Sequence, residues 1–192
     1  DIAIDPNNTA QQFAFVTLNN GNTYLYSVGL RKFITESTSF KAAPVHKPAD
    51  YVTVEESDTE GYFHIKFNGS QMLNISTGYK QNDVSTGNAV TGWNNVDDGN
   101  RLLIAEAGDF ADADAVFAFA EATMALKAKF NALNDGLEYV GEGLNQYTAS
   151  IANYVTSVND LGTYYENITN ETATDEINAK LAEATTLAGA TF

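Results

Sequence analysis

The chain divides into two stretches that differ in the spacing of their apolar residues. Residues 11–107 consist of short runs rich in β-branched and aromatic residues, separated by turn sequences such as NNGN, DTEG, NGS and DDGN. In the run YFHIKF, Phe63 and Ile65 fall on one face of a strand, and His64 falls on the opposite, solvated face. This stretch predicts an all-β unit, with strands in QQFAFVTL, TYLYSVG, RKFIT, YVTVEES, YFHIKF, QMLNIS, AVTGW and NRLLIAEA.

From residue 109 onward, apolar residues recur three and four positions apart, which is the spacing of amphipathic helices. The stripes cover residues 116–137, 151–168 and 177–187, and Thr174 supplies a capping hydroxyl before the third. Gly162 interrupts the second stripe at a cost of about 1 kcal/mol relative to alanine, which predicts a kink or a close contact there. Because three helices can bury their stripes against one another, we predict a three-helix bundle.

Together the two patterns predict an α+β chain with separate domains. Residues 1–10 form a lead, residues 11–108 the β unit and residues 109–192 the helical bundle. The chain begins at Asp1 without a methionine or a signal-peptide pattern, so we expect a mature or trimmed piece of a longer protein.

Charge and composition narrow the classes of partner and of chemistry. The formal net charge of −15 would repel nucleic acid and anionic lipid, and no apolar run is long enough to span a bilayer. Cysteine is absent, and the sequence has no Gly-x-Ser-x-Gly, His-Glu-x-x-His, Walker or dinucleotide motif. The acidic run VDDGN lacks the alternating oxygen ligands and the distant glutamate of a calcium loop. We therefore expect a non-catalytic chain with no metal and no cofactor, and neither nucleic acid nor membrane as a partner.

The β stretch resembles the ricin-type β-trefoil, in which three lobes of four strands pack around a pseudo-threefold axis. NTYLYSVGLRKFIT is similar to the opening hairpin of a lobe, GSQMLNIS is similar to its shortened counterpart one lobe later, and QQFAFV matches the Gln-x-Phe element that closes a lobe. The resemblance covers residues 11–107 as about two lobes and one strand. Either the chain begins inside a larger trefoil, or residues 1–10 and the helices cover the open side.

The helical stretch resembles the module called "found in various architectures", through GLNQYT and ENITNETATDEINAKLAEAT. Side by side, the two stretches are similar to the C-terminal, non-catalytic regions of secreted carbohydrate-active enzymes from Bacteroidetes-type bacteria. This resemblance implies a secreted or cell-surface accessory module with weak carbohydrate binding, whose partners are a glycan and the neighbouring domains of a parent protein. The alternative is a structural spacer or protein-interaction segment without glycan affinity.

The candidate ligand contacts surround the single tryptophan of the chain. Trp93 and Tyr79 would offer flat apolar faces to a sugar ring, while Asn94, Asp97 and Asp98 would bond its hydroxyl groups. The competing interpretation is structural and is favoured by the residue types. Tryptophan can close the β core, and NNVDDGN has the composition of a turn in which Asp and Asn bond their own backbone and glycine supplies positive φ.

Overall fold

The computed structural model is a mixed α+β chain, as the sequence predicts. It describes residues 5–37, 41–76, 80–81, 84–85, 89–140 and 149–190. The chain separates into two compact units, Asp1–Ala113 and Asp114–Phe192, named here the β unit and the helical unit. The described elements are a 3₁₀-helix (Thr9–Gln11), β1 (Phe13–Thr17), β2 (Thr23–Ser27), β3 (Lys32–Ser37), β4 (Lys41–Val45), β5 (Val52–Glu56), β6 (Phe63–Phe67), β7 (Gln71–Ser76), β8 (Lys80–Gln81), β9 (Val84–Ser85), β10 (Ala89–Trp93), α1 (Ala113–Val140), α2 (Ala149–Asn167) and α3 (Thr174–Ala188).

The strands of the β unit form an antiparallel sheet that is nearly barrel-shaped. Eight strands pair in the order β1-β2-β3-β4-β10-β7-β6-β5, and β5 also pairs with β2. β1 to β4 form one meander, and β5, β6, β7 and β10 form another. The register joins the two meanders through Thr91 with Lys41 and through Thr23 with Val52. The small β8–β9 pair forms a separate two-stranded sheet.

Alternating apolar residues from both meanders meet in one hydrophobic cluster. Leu25 and Phe67 are at most 1% exposed at its centre. Each such side chain contributes roughly 1.5–3 kcal/mol by leaving water. The other buried members are Ile34, Val52, Ile65 and Leu73. In β6, the apolar face read from the sequence contributes Ile65 and Phe67 to this core.

Two strand predictions differ from the structure. β4 was not predicted because its sequence, KAAPV, holds two alanines and a proline, which are all uncommon in strands. Pro44 is tolerated because it lies beyond the Lys41–Thr91 pair, where the outer edge of β4 has no partner strand among the described residues. NRLLIAEA was predicted to be a strand and is not, since the only pairing described for it is the bridge of Leu102 with Phe63.

His64 was predicted to be solvated, and that prediction is wrong. The side chain is only 4% exposed, and its Nδ1 atom lies 2.8 Å from the carbonyl oxygen of Asn100. Because a carbonyl can only accept, Nδ1 donates the proton. Period-2 alternation identified the face of β6 correctly but could not show that the segment after β10 covers it.

Three helices make up the described part of the helical unit, in the regions where the sequence predicts them. At Gly162 the structure has the close contact that was one of the two expectations, because an added Cβ would lie 2.8 Å from two ring atoms of Phe130. The predicted cap of the third helix is wrong. Ala173 is the N-cap and makes no side-chain capping bond, and Thr174 is already the first helical residue. No described helix is both long enough and apolar enough to cross a membrane.

Candidate functional site

Trp93 is the last residue of β10 and lies at a margin of the sheet. In the register of β10 with β7, it stands opposite Met72. Met72 is buried at 3% exposure, whereas the indole of Trp93 is 41% exposed. The strand therefore ends by carrying an aromatic side chain to the surface rather than into the core.

The residues after β10 form a tightly bonded turn, named here the Asp97 loop (residues 94–100). The amide of Asp97 donates to Oδ1 of Asn100 over 3.1 Å. Nδ2 of Asn100 donates to the carbonyl oxygen of Asn95 over 2.8 Å. Asn100 is fully buried, so its side of both bonds is shielded from water. Its side chain holds the two ends of the loop together.

The carboxylate of Asp97 bonds to the protein on two sides. Its Oδ1 atom accepts from the amide of Gly99 over 2.8 Å and from Nδ2 of Asn74, on β7, over 2.7 Å. The first bond is the local side-chain turn that the sequence favours at this aspartate. The second ties the loop to the sheet, which fixes the loop beside the end of β10.

Gly99 has a different role from the one that the sequence suggests. It is not among the glycines with positive φ, which include Gly61 and Gly69. Instead, an added Cβ at Gly99 would lie 2.6 Å from Oδ1 of Asn74 and 2.8 Å from the carbonyl oxygen of Ile75. The loop approaches β7 too closely for any side chain at this position.

Arg101 connects the Asp97 loop to the turn between β5 and β6, where Asp58 lies. Its Nε and Nη2 atoms donate to the two carboxylate oxygens of Asp58 over 2.7 and 2.8 Å, and Nη1 donates to Asp98. The hydrogen bonds from Arg101 hold the pKa of Asp58 below its usual range. They also raise the pKa of the guanidinium further, so this ion pair persists at any physiological pH.

The structure brings four of the five predicted contact residues into one short exposed segment. Trp93, Asn94, Asp97 and Asp98 all lie at or just after the end of β10, and all are exposed. Tyr79 lies outside the described residues. Sequence reasoning missed the residues that hold the segment in place: Asn74, Asn100, Arg101 and Asp58. Their only local signal is the run DDGNR, because the contacts of Asn74 with Asp97 and of Arg101 with Asp58 join residues that are distant in sequence.

This segment offers hydrogen-bonding groups and an aromatic surface rather than reactive chemistry. Exposed amides stand at Asn94 and Asn95, an exposed carboxylate stands at Asp98, and the indole of Trp93 adds a flat apolar face. Within the described residues, no three histidine or acidic side chains are grouped so that they could hold a metal ion. Such a set suits the reversible binding of a polar ligand with apolar faces.

Comparison with family models, with curated proteins and with solved structures finds no match to this chain.

Proposed function

We propose that this chain is a non-catalytic accessory module of a secreted or cell-surface polysaccharide-processing protein, and that its β unit binds glycan weakly beside Trp93. The finer architecture belongs to the same proposal: the β unit is an incomplete trefoil and the helices form a three-helix bundle. The glycan and the neighbouring domains of the parent protein are its partners.

The observation that carries this proposal is the exposed indole of Trp93 next to a loop whose backbone is already fixed. A sugar ring has an apolar face that stacks on an aromatic side chain and hydroxyl groups that need oriented partners. Because Asn100 and Asn74 hold the Asp97 loop, binding would not have to order it first. Asp97 then supports the site as part of the loop, while Asn94 and Asp98 reach solvent.

The test is binding of the purified chain to plant, mucin and bacterial polysaccharides by affinity electrophoresis. Trp93→Ala should weaken binding roughly tenfold, which is the scale of one lost aromatic contact. Tyr62→Ala is the matched control, because Tyr62 is an aromatic of the same unit with a similar exposure of 37%. Circular dichroism verifies that both variants fold.

Binding that is lost in Trp93→Ala and retained in Tyr62→Ala supports glycan recognition at this surface. Equal loss in both variants would place the binding elsewhere. Absence of binding across the panel would remove the glycan function and leave the alternative of a structural spacer or protein-interaction segment.

A further inference from the structure

A concave site lies in the β unit, and neither Trp93 nor any residue of the Asp97 loop lines it. It is a cavity of about 480 Å³. This volume falls within the range of roughly 300–1,000 Å³ that small-molecule sites occupy, and the mouths of β-barrels are among their usual locations. The described lining residues carry no charged side chain.

The floor of the cavity is the hydrophobic core itself. Leu25, Ile34 and Leu73 belong to the buried cluster of the β unit, and they also line the cavity. Each is at most 8% exposed. A molecule in the cavity would therefore contact side chains that the fold already holds in place, which lowers the cost of ordering the site.

The cavity lies where the two meanders separate. β4 and β10 pair at Lys41 and Thr91, and no further pair between them is described. The next residues along the two strands, Ala42 on β4 and Val90 on β10, both line the cavity, as does Pro44. The single pair therefore marks the place beyond which the sheet opens into a cavity.

The rim of the cavity is apolar and open to solvent. Phe13, Leu30 and Val90 line it and are 46%, 57% and 50% exposed. Single exposed apolar residues are ordinary, but a group of them around one cavity is typical of a binding site. The polar lining residue Ser27 is buried, and its hydroxyl oxygen accepts a hydrogen bond from the amide of Leu30.

The 3₁₀-helix forms one wall of the cavity and approaches it through a glycine. Thr9 and Ala10 line the cavity together with Gly29, from the turn between β2 and β3. A Cβ at Gly29 would lie 2.8 Å from the carbonyl oxygen of Thr9 and 3.2 Å from Cα of Ala10. The main chains of the 3₁₀-helix and of the β2–β3 turn therefore approach closely at this position, where only glycine leaves enough room.

We propose that this cavity binds a small, uncharged apolar molecule with an aliphatic or alicyclic body. The lining offers dispersion contacts and desolvation but few polar partners, so affinity would come from apolar surface removed from water. For scale, an apolar cavity of roughly 150 Å³ is enough to hold benzene. The cavity here takes a body several times larger, with any hydroxyl group left at the solvent end.

A peptide fits the site less well than a small molecule. Leu25 and Ile34 lie in paired ladders, so their strands have no free edge for an added strand. The open edge of β4 contains Pro44, which has no N–H to donate. A peptide chain would therefore bury main-chain N–H and C=O groups without partners, at a cost of roughly 1–3 kcal/mol each.

The test uses the neutral fluorescent probe N-phenyl-1-naphthylamine with the full chain. We expect saturable binding with one probe per chain, and displacement by decan-1-ol. Leu30→Asp places a charge on the rim and should weaken binding roughly tenfold. Leu103→Asp is the matched control, because Leu103 is in the same unit, has the same 57% exposure and does not line the cavity.

A second variant, Ala42→Phe, fills the cavity from its wall and should also reduce probe binding. Circular dichroism and the unfolding midpoint verify that each variant folds. Trp93→Ala should leave probe binding unchanged, which separates this site from the proposed glycan surface.

Four results would overturn the proposal. The first is the absence of saturable binding, and the second is an equal loss in Leu30→Asp and Leu103→Asp. The third is displacement by decanoate but not by decan-1-ol, since a headgroup charge rather than the apolar body would then be recognised. Light scattering provides a further arm: a dimer that Leu30→Asp dissociates would assign the apolar rim to a second copy of this chain and likewise overturn the proposal.

Discussion

The Asp97 loop and the helical unit each contain a glycine that lies too close to another residue to carry a side chain unless that residue moves. The close atoms are polar in the loop and aromatic in the helical unit. Gly99 faces the side-chain amide of Asn74 and the carbonyl of Ile75, whereas Gly162 faces the ring of Phe130. Hydrogen bonds are directional, so the loss of one partner leaves a buried group unpaired. An apolar contact can relax by a small shift of the ring. We therefore expect the loop to tolerate substitution less well than the helical contact.

The largest effect is expected at Asn100, where the loop can be disrupted from within. Asn100→Ala removes the acceptor of the Asp97 amide and the donor to the Asn95 carbonyl, which should lower the free energy of unfolding by about 2–3 kcal/mol. Urea denaturation measures the change. Asn95→Ala is the control, and it should shift stability by less than about 0.5 kcal/mol because the bond uses only the backbone carbonyl of Asn95. Similar losses in both variants would contradict the assignment of the network to the Asn100 side chain.

The next effect compares one substitution at two helical glycines. An added Cβ at Gly136, in α1, meets nothing within 4 Å. Gly136→Ala should therefore stabilise the chain by up to about 1 kcal/mol through helix propensity. Gly162→Ala should lose that gain, because the Phe130 ring must move, and the two variants should differ by about 1–2 kcal/mol. Thermal unfolding of both variants tests this, and an equal gain would show that the contact at Gly162 is unimportant.

A smaller effect is expected in the β unit at acid pH, where Asp58 titrates. Arg101 depresses the pKa of Asp58 in the folded chain. The contribution of the Asp58 carboxylate to the stability of the folded chain is therefore present above the unfolded pKa of about 3.9. It is lost as the pH falls through the lower folded pKa. In Arg101→Gln the pKa of Asp58 should rise, as measured by carboxyl NMR titration. Lys127→Gln removes one positive charge from the helical unit and should leave the pKa of Asp58 where it is.

The smallest effect is expected in the helical unit at alkaline pH, where Tyr165 titrates. Burial, followed by the charge of Glu166, raises the pKa of Tyr165 to about 12. Because the folded pKa is raised, the associated stability is complete below the unfolded pKa of about 10 and is lost as the pH rises toward the folded value. Ultraviolet titration should show a late tyrosine step that Tyr165→Phe removes. A late step that survives in this variant would assign it to another tyrosine.

The sequence predicted the fold well where structure is set by local periodicity. The stripes of α1 to α3 needed only neighbouring residues, and the predicted helices are confirmed. In β6, the predicted core face is confirmed at Ile65 and Phe67. β4 was missed because its two alanines and its proline are uncommon in strands. His64 was misplaced because the residue that covers it, Asn100, is distant in the chain. The outer edge of β4 accommodates Pro44, and Asn100 covers His64.

The candidate site shows the same difference between contacts that are local in sequence and contacts between distant residues. The turn chemistry of Asp97 could be read from NNVDDGN, because the bond to Gly99 is local. The bonds from Asn74 to Asp97 and from Arg101 to Asp58 could not, because they span 23 and 43 residues. The apolar cavity was invisible to sequence for the same reason, since Phe13, Leu73 and Val90 meet only after both meanders have formed.

The joining of the two meanders has a kinetic consequence. Within each meander, successive strands close over short stretches of chain, so these hairpins can form early and independently. The Lys41–Thr91 and Thr23–Val52 pairs each need both meanders in place. Among the described residues each seam has one pair, which adds little protection to either meander. Amide hydrogens at these two seams should therefore exchange with deuterium through local opening, faster than those within the β2–β3 ladder. The β unit would then open locally at these two seams while its core stays protected from exchange.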